Sequence, residues 1–149
     1  MEIREVTPTE LWDEYKLLLG AADGFAYDIP VPNSDKGINA LAYAMAQGLN
    51  FVSVEDDEIT GAIVLVLDSL WWVDEFFLVD IAFYVGPTKR KSRAASMLIE
   101  RAKEKAKELG LPLQISVTYG TDLDRKENFI LRKGFTKIGG NYVMENSNG

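Results

Sequence analysis

Residues 76–96 read FFLVDIAFYVGPTKRKSRAAS, and this stretch limits what the chain can fold into more than any other. Phe76 to Val85 form a nearly continuous apolar run, interrupted by Asp80. A run of that length without polar alternation predicts a strand buried on both faces. A Pro-marked loop follows. Then comes the amphipathic ASMLIERAKEKAKELG, in which Ala95, Leu98, Ala102, Ala106 and Leu109 share one helical face. Four of the sixteen basic residues fall in and beside the loop: Lys89, Arg90, Lys91 and Arg93. A strand that delivers a basic loop onto a helix start is suited to an anion. The first amide N–H groups of a helix lack partners, and the dipole there favours negative charge. The expected ligand is phosphorylated.

The remaining segments assemble around this unit. Ile3 to Val6 predicts a short strand, and Thr7-Pro8 a helix start that runs to a stop at Gly20. Residues 21–36 are rich in Gly, Pro, Asp and Asn and predict a loop carrying Phe25 and Tyr27. A helix over INALAYAMAQGL closes near Gly48. Strands follow at Asn50 to Glu55 and Ile59 to Asp68, joined by an acidic turn over residues 55–58. After the central helix, which Gly110 ends, LQISVTYG predicts a strand beside the central one. LDRKENFILRKG predicts a helix and FTKIGGNYVME a last strand, with ENSNG as a frayed tail. Hairpins early and one crossover late give an α/β mixed sheet rather than a doubly wound one.

The chain has 149 residues, 47% of them apolar and 26% charged, which fits one globular domain spanning 1–149. A net charge of −7 argues against nucleic acid and anionic membrane as partners, so the basic loop suits one small ligand. Cys and His are both absent. That excludes thiolate nucleophiles, Ser-His-Asp arrangements and His-ligated metals, and no metal is expected. The N-terminus lacks the apolar core of a signal peptide, and no run approaches the roughly eighteen residues that span a bilayer, so a cytoplasmic location is expected.

Val85-Gly86-Pro87-Thr88-Lys89-Arg90 and Arg90-Lys91-Ser92-Arg93-Ala94-Ala95 are similar to the V-x-P-x-x-R and R-x-x-G-x-G/A patterns of the GNAT superfamily of N-acetyltransferases. Arg132-Lys133-Gly134-Phe135 resembles that family's E-K-x-G-F, and Asp80 stands where many members carry an acid on the strand entering the loop. The element order agrees over essentially the whole chain. The resemblance implies a mixed, mostly antiparallel central sheet, about four flanking helices and one strand-helix-strand crossover. It also implies acetyl-CoA as co-substrate. Arg90, Lys91, Ser92, Arg93, Ala94, Ala95 and Ser96 would contact its pyrophosphate, and backbone groups of Phe83, Tyr84 and Val85 its pantetheine arm. The chain departs from the pattern in three places. Arg93 replaces the first Gly; Ile130 occupies the usual position of an acidic Tyr; and Leu123 stands where an Asn is common, leaving Asn128 as a neighbouring cofactor contact out of register.

Amine attack on a thioester needs positioning, oxyanion stabilisation and removal of the ammonium proton, all without His, Cys or metal. Asp80 is the candidate base, because an apolar strand desolvates its carboxyl and raises its pKa. The alternatives are a backbone contact at a bulge or a solvated edge. Tyr142 and Tyr119 are candidate proton donors to the thiolate. Tyr27, Trp71, Trp72 and Glu75 are candidate substrate contacts, and the Trp residues also suit core packing or a homodimer contact. Asp23, Asp28, Asp35 and the acidic turn favour a cationic amine, small or on a protein. The resulting expectation is an acetyl-CoA-dependent N-acetyltransferase. The rivals are a non-catalytic acyl-CoA-binding or protein-interaction module of the same fold, and an acidic decoy for a nucleic-acid-handling protein.

Overall fold

The computed structural model describes residues 1–22, 31–87, 93–118 and 122–146. Among them are strands β1 (Glu2–Glu5), β2 (Asn50–Glu55), β3 (Glu58–Ser69), β4 (Phe76–Val85) and β5 (Leu113–Gln114). The α-helices are α1 (Leu11–Leu19), α2 (Ser34–Ala46), α3 (Ala94–Leu109) and α4 (Leu123–Arg132). The five strands form one sheet in chain order. β1 to β4 are antiparallel neighbours and β5 joins parallel to β4 after the α3 crossover. No described helix is long and apolar enough to cross a membrane.

Strand alternation divides the core into two layers. Phe51, Ile63, Leu65, Leu78 and Val85 face α3, meeting Leu98, Ile99 and Ala102, with Ile130 of α4 beside them. Val52, Ala62 and Val64 point the other way, toward Tyr15 of α1 and Leu41 and Ala44 of α2. Both faces of β2 and β3 are therefore buried, which is why their sequences lack the apolar-polar alternation of a half-exposed sheet. A fully buried side chain such as Leu98 contributes about 2 kcal/mol or more by leaving water.

The helix ends have local causes. Thr7 N donates to Glu10 Oε1 at 2.9 Å in a short 3₁₀ turn before α1. Asn33 Oδ1 accepts from Lys36 N at 3.1 Å, so α2 begins at Ser34 inside the segment expected to be loop. Gly110 closes α3 with φ of 67°, the left-handed conformation that glycine adopts without a Cβ clash.

Two expectations are corrected. The strand LQISVTYG is reduced to Leu113–Gln114, with 115–118 irregular. The last strand, FTKIGGNYVME, does not form. Residues 135–146 belong to no helix or strand, because a two-residue β5 offers no edge long enough to pair with.

Candidate functional site

β4 changes face partway along. The β3–β4 register pairs Val64 with Ala82 and Leu65 with Asp80, which makes Ile81 the extra residue of a β-bulge. Before the bulge Leu78 faces α3. After it Phe83 and Val85 do, while Ala82 faces α1 and α2. The β4–β5 ladder pairs Leu78 with Leu113 and Val79 with Gln114 and goes no further. The sheet thus bulges on one side of β4 and opens on the other, both at Asp80.

Asp80 holds that opening. Its Oδ1 accepts from Ser116 N at 2.8 Å, a bond from side chain to backbone that replaces the next rung of the parallel ladder. Oδ2 is buried and has no partner among the described residues. Burial pushes the carboxyl up to about 6, and the Ser116 N–H partly opposes the shift. This is a carboxyl able to exchange a proton near neutral pH.

The pyrophosphate candidates divide at α3. Arg90, Lys91 and Ser92 lie outside the described residues, as do Tyr27 and Tyr119. Arg93 is exposed at the N-cap. Ala94 is buried and Ala95 and Ser96 are half-buried in the first turn. That turn carries no acidic residue, the Arg93 side chain does not cap it, and its small side chains allow close backbone approach by an anion. One cation not anticipated from the sequence is also there. Lys133, which follows α4, donates from Nζ to Ser96 Oγ and lies 3.8 Å from Glu100. The signal was Lys133 in the R-K-G-F motif, whose proximity to α3 only the tertiary fold creates.

Phe83 and Tyr84 are half-buried and Val85 is buried. A Cβ at Gly20 would come within 2.8 Å of the Tyr84 hydroxyl, so this ring lies against the end of α1. Trp71, Trp72 and Glu75 lie in the β3–β4 connection, at the opposite end of β4 from the α3 start, a strand of ten residues and about 30 Å away. The two Trp rings pack edge to face at 5.2 Å and are 91% and 61% exposed, so neither is core. Tyr142 is 97% exposed on the irregular C-terminal segment. Asn128 is exposed on α4, while Ile130 is buried in the α3-side core.

A family model for the Acetyltransferase (GNAT) family matches residues 11–135. No curated protein sequence matches the chain. Among solved structures, AAC(6')-Iy in complex with the bisubstrate analogue CoA-S-monomethyl-acetylneamine aligns with 97% of each chain at 14% identity and a TM-score of 0.74. An agmatine N-acetyltransferase covers 93% of this chain and 83% of its own, also at 14% identity and 0.74. A transcriptional regulator from Bacillus halodurans C-125 reaches 22% identity, coverage of 97% and 98%, and 0.69. At these identities the structures share the fold with this chain.

Proposed function

This chain belongs to the acetyltransferase (GNAT) family, and on that premise we propose that it moves the acetyl group of acetyl-CoA directly to a primary amine. The observation that carries the reading is Asp80, a buried carboxyl at the point where β5 leaves β4, one oxygen of which has no partner among the described residues. When bound, acetyl-CoA supplies an activated acyl thioester. The first turn of α3 and Arg93 receive its pyrophosphate, with Lys133 adding positive charge through Ser96. Backbone groups of Phe83 to Val85 line the opening for the pantetheine arm. Asp80 takes the proton that the ammonium group must lose before its nitrogen can attack.

The leaving thiolate also needs a proton. Ile130 is core and Tyr142 stands in water, so neither position supplies it directly, and Tyr119, outside the described residues, and solvent are the proton sources that stay open. The acceptors named for similar structures, an aminoglycoside derivative and agmatine, share a primary amine with the acceptor proposed here. The exposed Trp71–Trp72 pair serves a homodimer contact.

The test is thiol release with Asp80→Asn. Turnover falls about 100-fold or more at saturating acetyl-CoA, within the range for loss of a general base. Full turnover in the variant would rule the base role out. Ile130 favours one second reading, an acyl-CoA-binding module without turnover. Tight binding of acetyl-CoA with no thiol release across a broad amine panel would establish it.

A further inference from the structure

Asn50 is the first residue of β2, and its amide is oriented by a group that can only accept. Nδ2 donates to the Leu41 carbonyl of α2 at 3.2 Å and to Glu14 Oε1 of α1 at 2.8 Å, which commits both of its hydrogens. Two oxygens remain, Glu14 Oε2 and Asn50 Oδ1. Both are buried, and neither has a donor among the described residues. A carboxylate and an amide oxygen only accept, and a buried acceptor without a donor is costly, so the joint is short of one hydrogen.

We propose that a proton on Glu14 Oε2 supplies that hydrogen to Asn50 Oδ1, and that the joint of α1, α2 and β2 is a proton switch, which takes one proton from water as it closes and returns it as it opens. A neutral carboxyl is also buried at far lower cost than a carboxylate. The charged groups around the joint favour the neutral form. Glu10, in the turn before α1, repels a second negative charge, and Arg4 of β1 is already engaged by Glu10 at 2.7 and 2.8 Å. From α2 comes the Leu41 carbonyl, while Asp35 and Lys36 are exposed at the start of that helix. β3 places Val64 opposite Asn50, and Asp13 and Lys16 of α1 are exposed and pair with each other at 3.5 Å. Glu14 is accordingly pushed up to about 7, chiefly by burial. With the open joint ionising near the ordinary 4.5, opening releases the proton; it becomes easier as pH rises from 4.5 to about 7 and levels off above. The joint also has a line to the candidate site. α1 ends at Leu19, and the next residue, Gly20, lies against the Tyr84 ring of β4, so loosening α1 loosens what backs the proposed pantetheine strand.

Carboxyl-carbon NMR on protein labelled in its glutamates reads the proton directly. With the resonances assigned along the chain, the Glu14 signal is expected at its protonated position at about pH 6, where an ordinary glutamate has ionised. A Glu14 signal already ionised there means that other donors hold the pair, and overturns the inference. Hydrogen exchange then reads the opening. Glu14→Gln places a permanent N–H donor beside Asn50 Oδ1, so the variant stays closed without taking up a proton. The parent-to-variant ratio of opening constants for α1 and α2 amides should grow at least tenfold from about pH 5 to about pH 8. Because the two proteins are compared at the same pH, the titration of Asp80 cancels. A constant ratio overturns the switch even where Glu14 is protonated. Should Glu14→Gln not fold, the titration of the parent decides alone: a Glu14 midpoint of about 7 supports the inference, and one near the ordinary 4.5 overturns it. Neither measurement uses acetyl-CoA or an amine, so failure of the acetyltransferase reading leaves this inference standing, and the reverse holds too.

Discussion

Glu14 and Asp80 each bury a carboxyl group against amide donors instead of a cation, but only Asp80 stands where the sheet opens. Glu14 accepts from Asn50 Nδ2 at 2.8 Å between α1 and β2. Its Oε2 and the Asn50 Oδ1 have no partner among the described residues. Burial pushes Glu14 up to about 7 from an ordinary value of 4.5, with Asn50 opposing. A folded-state pKa raised above the unfolded one means that the folded chain holds the proton longer. The stabilisation is therefore complete below about pH 4.5 and lost as pH rises to about 7, an effect on the order of 3 kcal/mol. Glu14→Gln should flatten the fall of the urea midpoint across that window and make the protein more stable than the parent at pH 8. A steeper fall in the variant would contradict this. Asp80 has the same sign over a lower window, from its ordinary 3.8 to about 6, but it is also the proposed base. Turnover should thus rise with pH through about 6 in the parent enzyme while stability declines, and Asp80→Asn should lose the rise in turnover.

At the scale of elements, the apolar strands were the most legible. β2 and β4 begin and end where expected, but of the two only β2 is buried through its middle on both faces; β4, expected to be buried on both faces, is exposed at Phe76 and Ile81 and half-buried over much of its length, because β5 covers it along two residues only. The start of α2 was hidden, since its cap is the single Asn33 within a Gly/Pro-rich stretch. The shortening of β5 was hidden for a different reason. A side-chain acceptor, Asp80, takes the Ser116 N–H that a ladder would use, and one-dimensional patterns do not register such long-range competition. Of the candidate site, the acid on β4 and the helix start of α3 were readable, whereas the approach of Lys133 to Ser96 and the bulge at Ile81 depend on tertiary packing. The α1–α2 contact carries a prediction of its own. A Cβ at Gly37 would lie 2.4 Å from Cε1 of the Tyr15 ring, which is itself buried, so the ring or the helix must move. Gly37→Ala is expected to destabilise the fold by about 1–3 kcal/mol despite alanine's better helix propensity, read as a lower urea midpoint. An unchanged or higher midpoint would mean that α2 is not held this closely against α1.

Seen whole, the molecule is unevenly finished. The sheet is buried on both faces through β2 and β3, yet large apolar side chains stand in water at its periphery. Trp71 and Trp72 crown the β3–β4 hairpin, and Ile138, Tyr142 and Met144 lie along the irregular C-terminal segment. Isolated exposed apolar residues are ordinary, but two adjacent tryptophans packed on each other form a patch of the kind that marks an interface. A net charge of −7 repels a second copy at long range, so association must come from short-range apolar contact and should strengthen with salt. The expected result in sedimentation velocity is a species of twice the single-chain mass whose fraction grows with concentration and with added salt. Because all three tryptophans are exposed in one copy, their emission should shift to shorter wavelength over the same concentration range as dimers form. Replacing Trp71 and Trp72 together by Ser should leave a monomer that melts as the parent does at dilutions where the parent is monomeric too, since neither ring contributes to the core. Parent protein that stays monomeric at its solubility limit in high salt would show that the Trp pair is not a self-association surface.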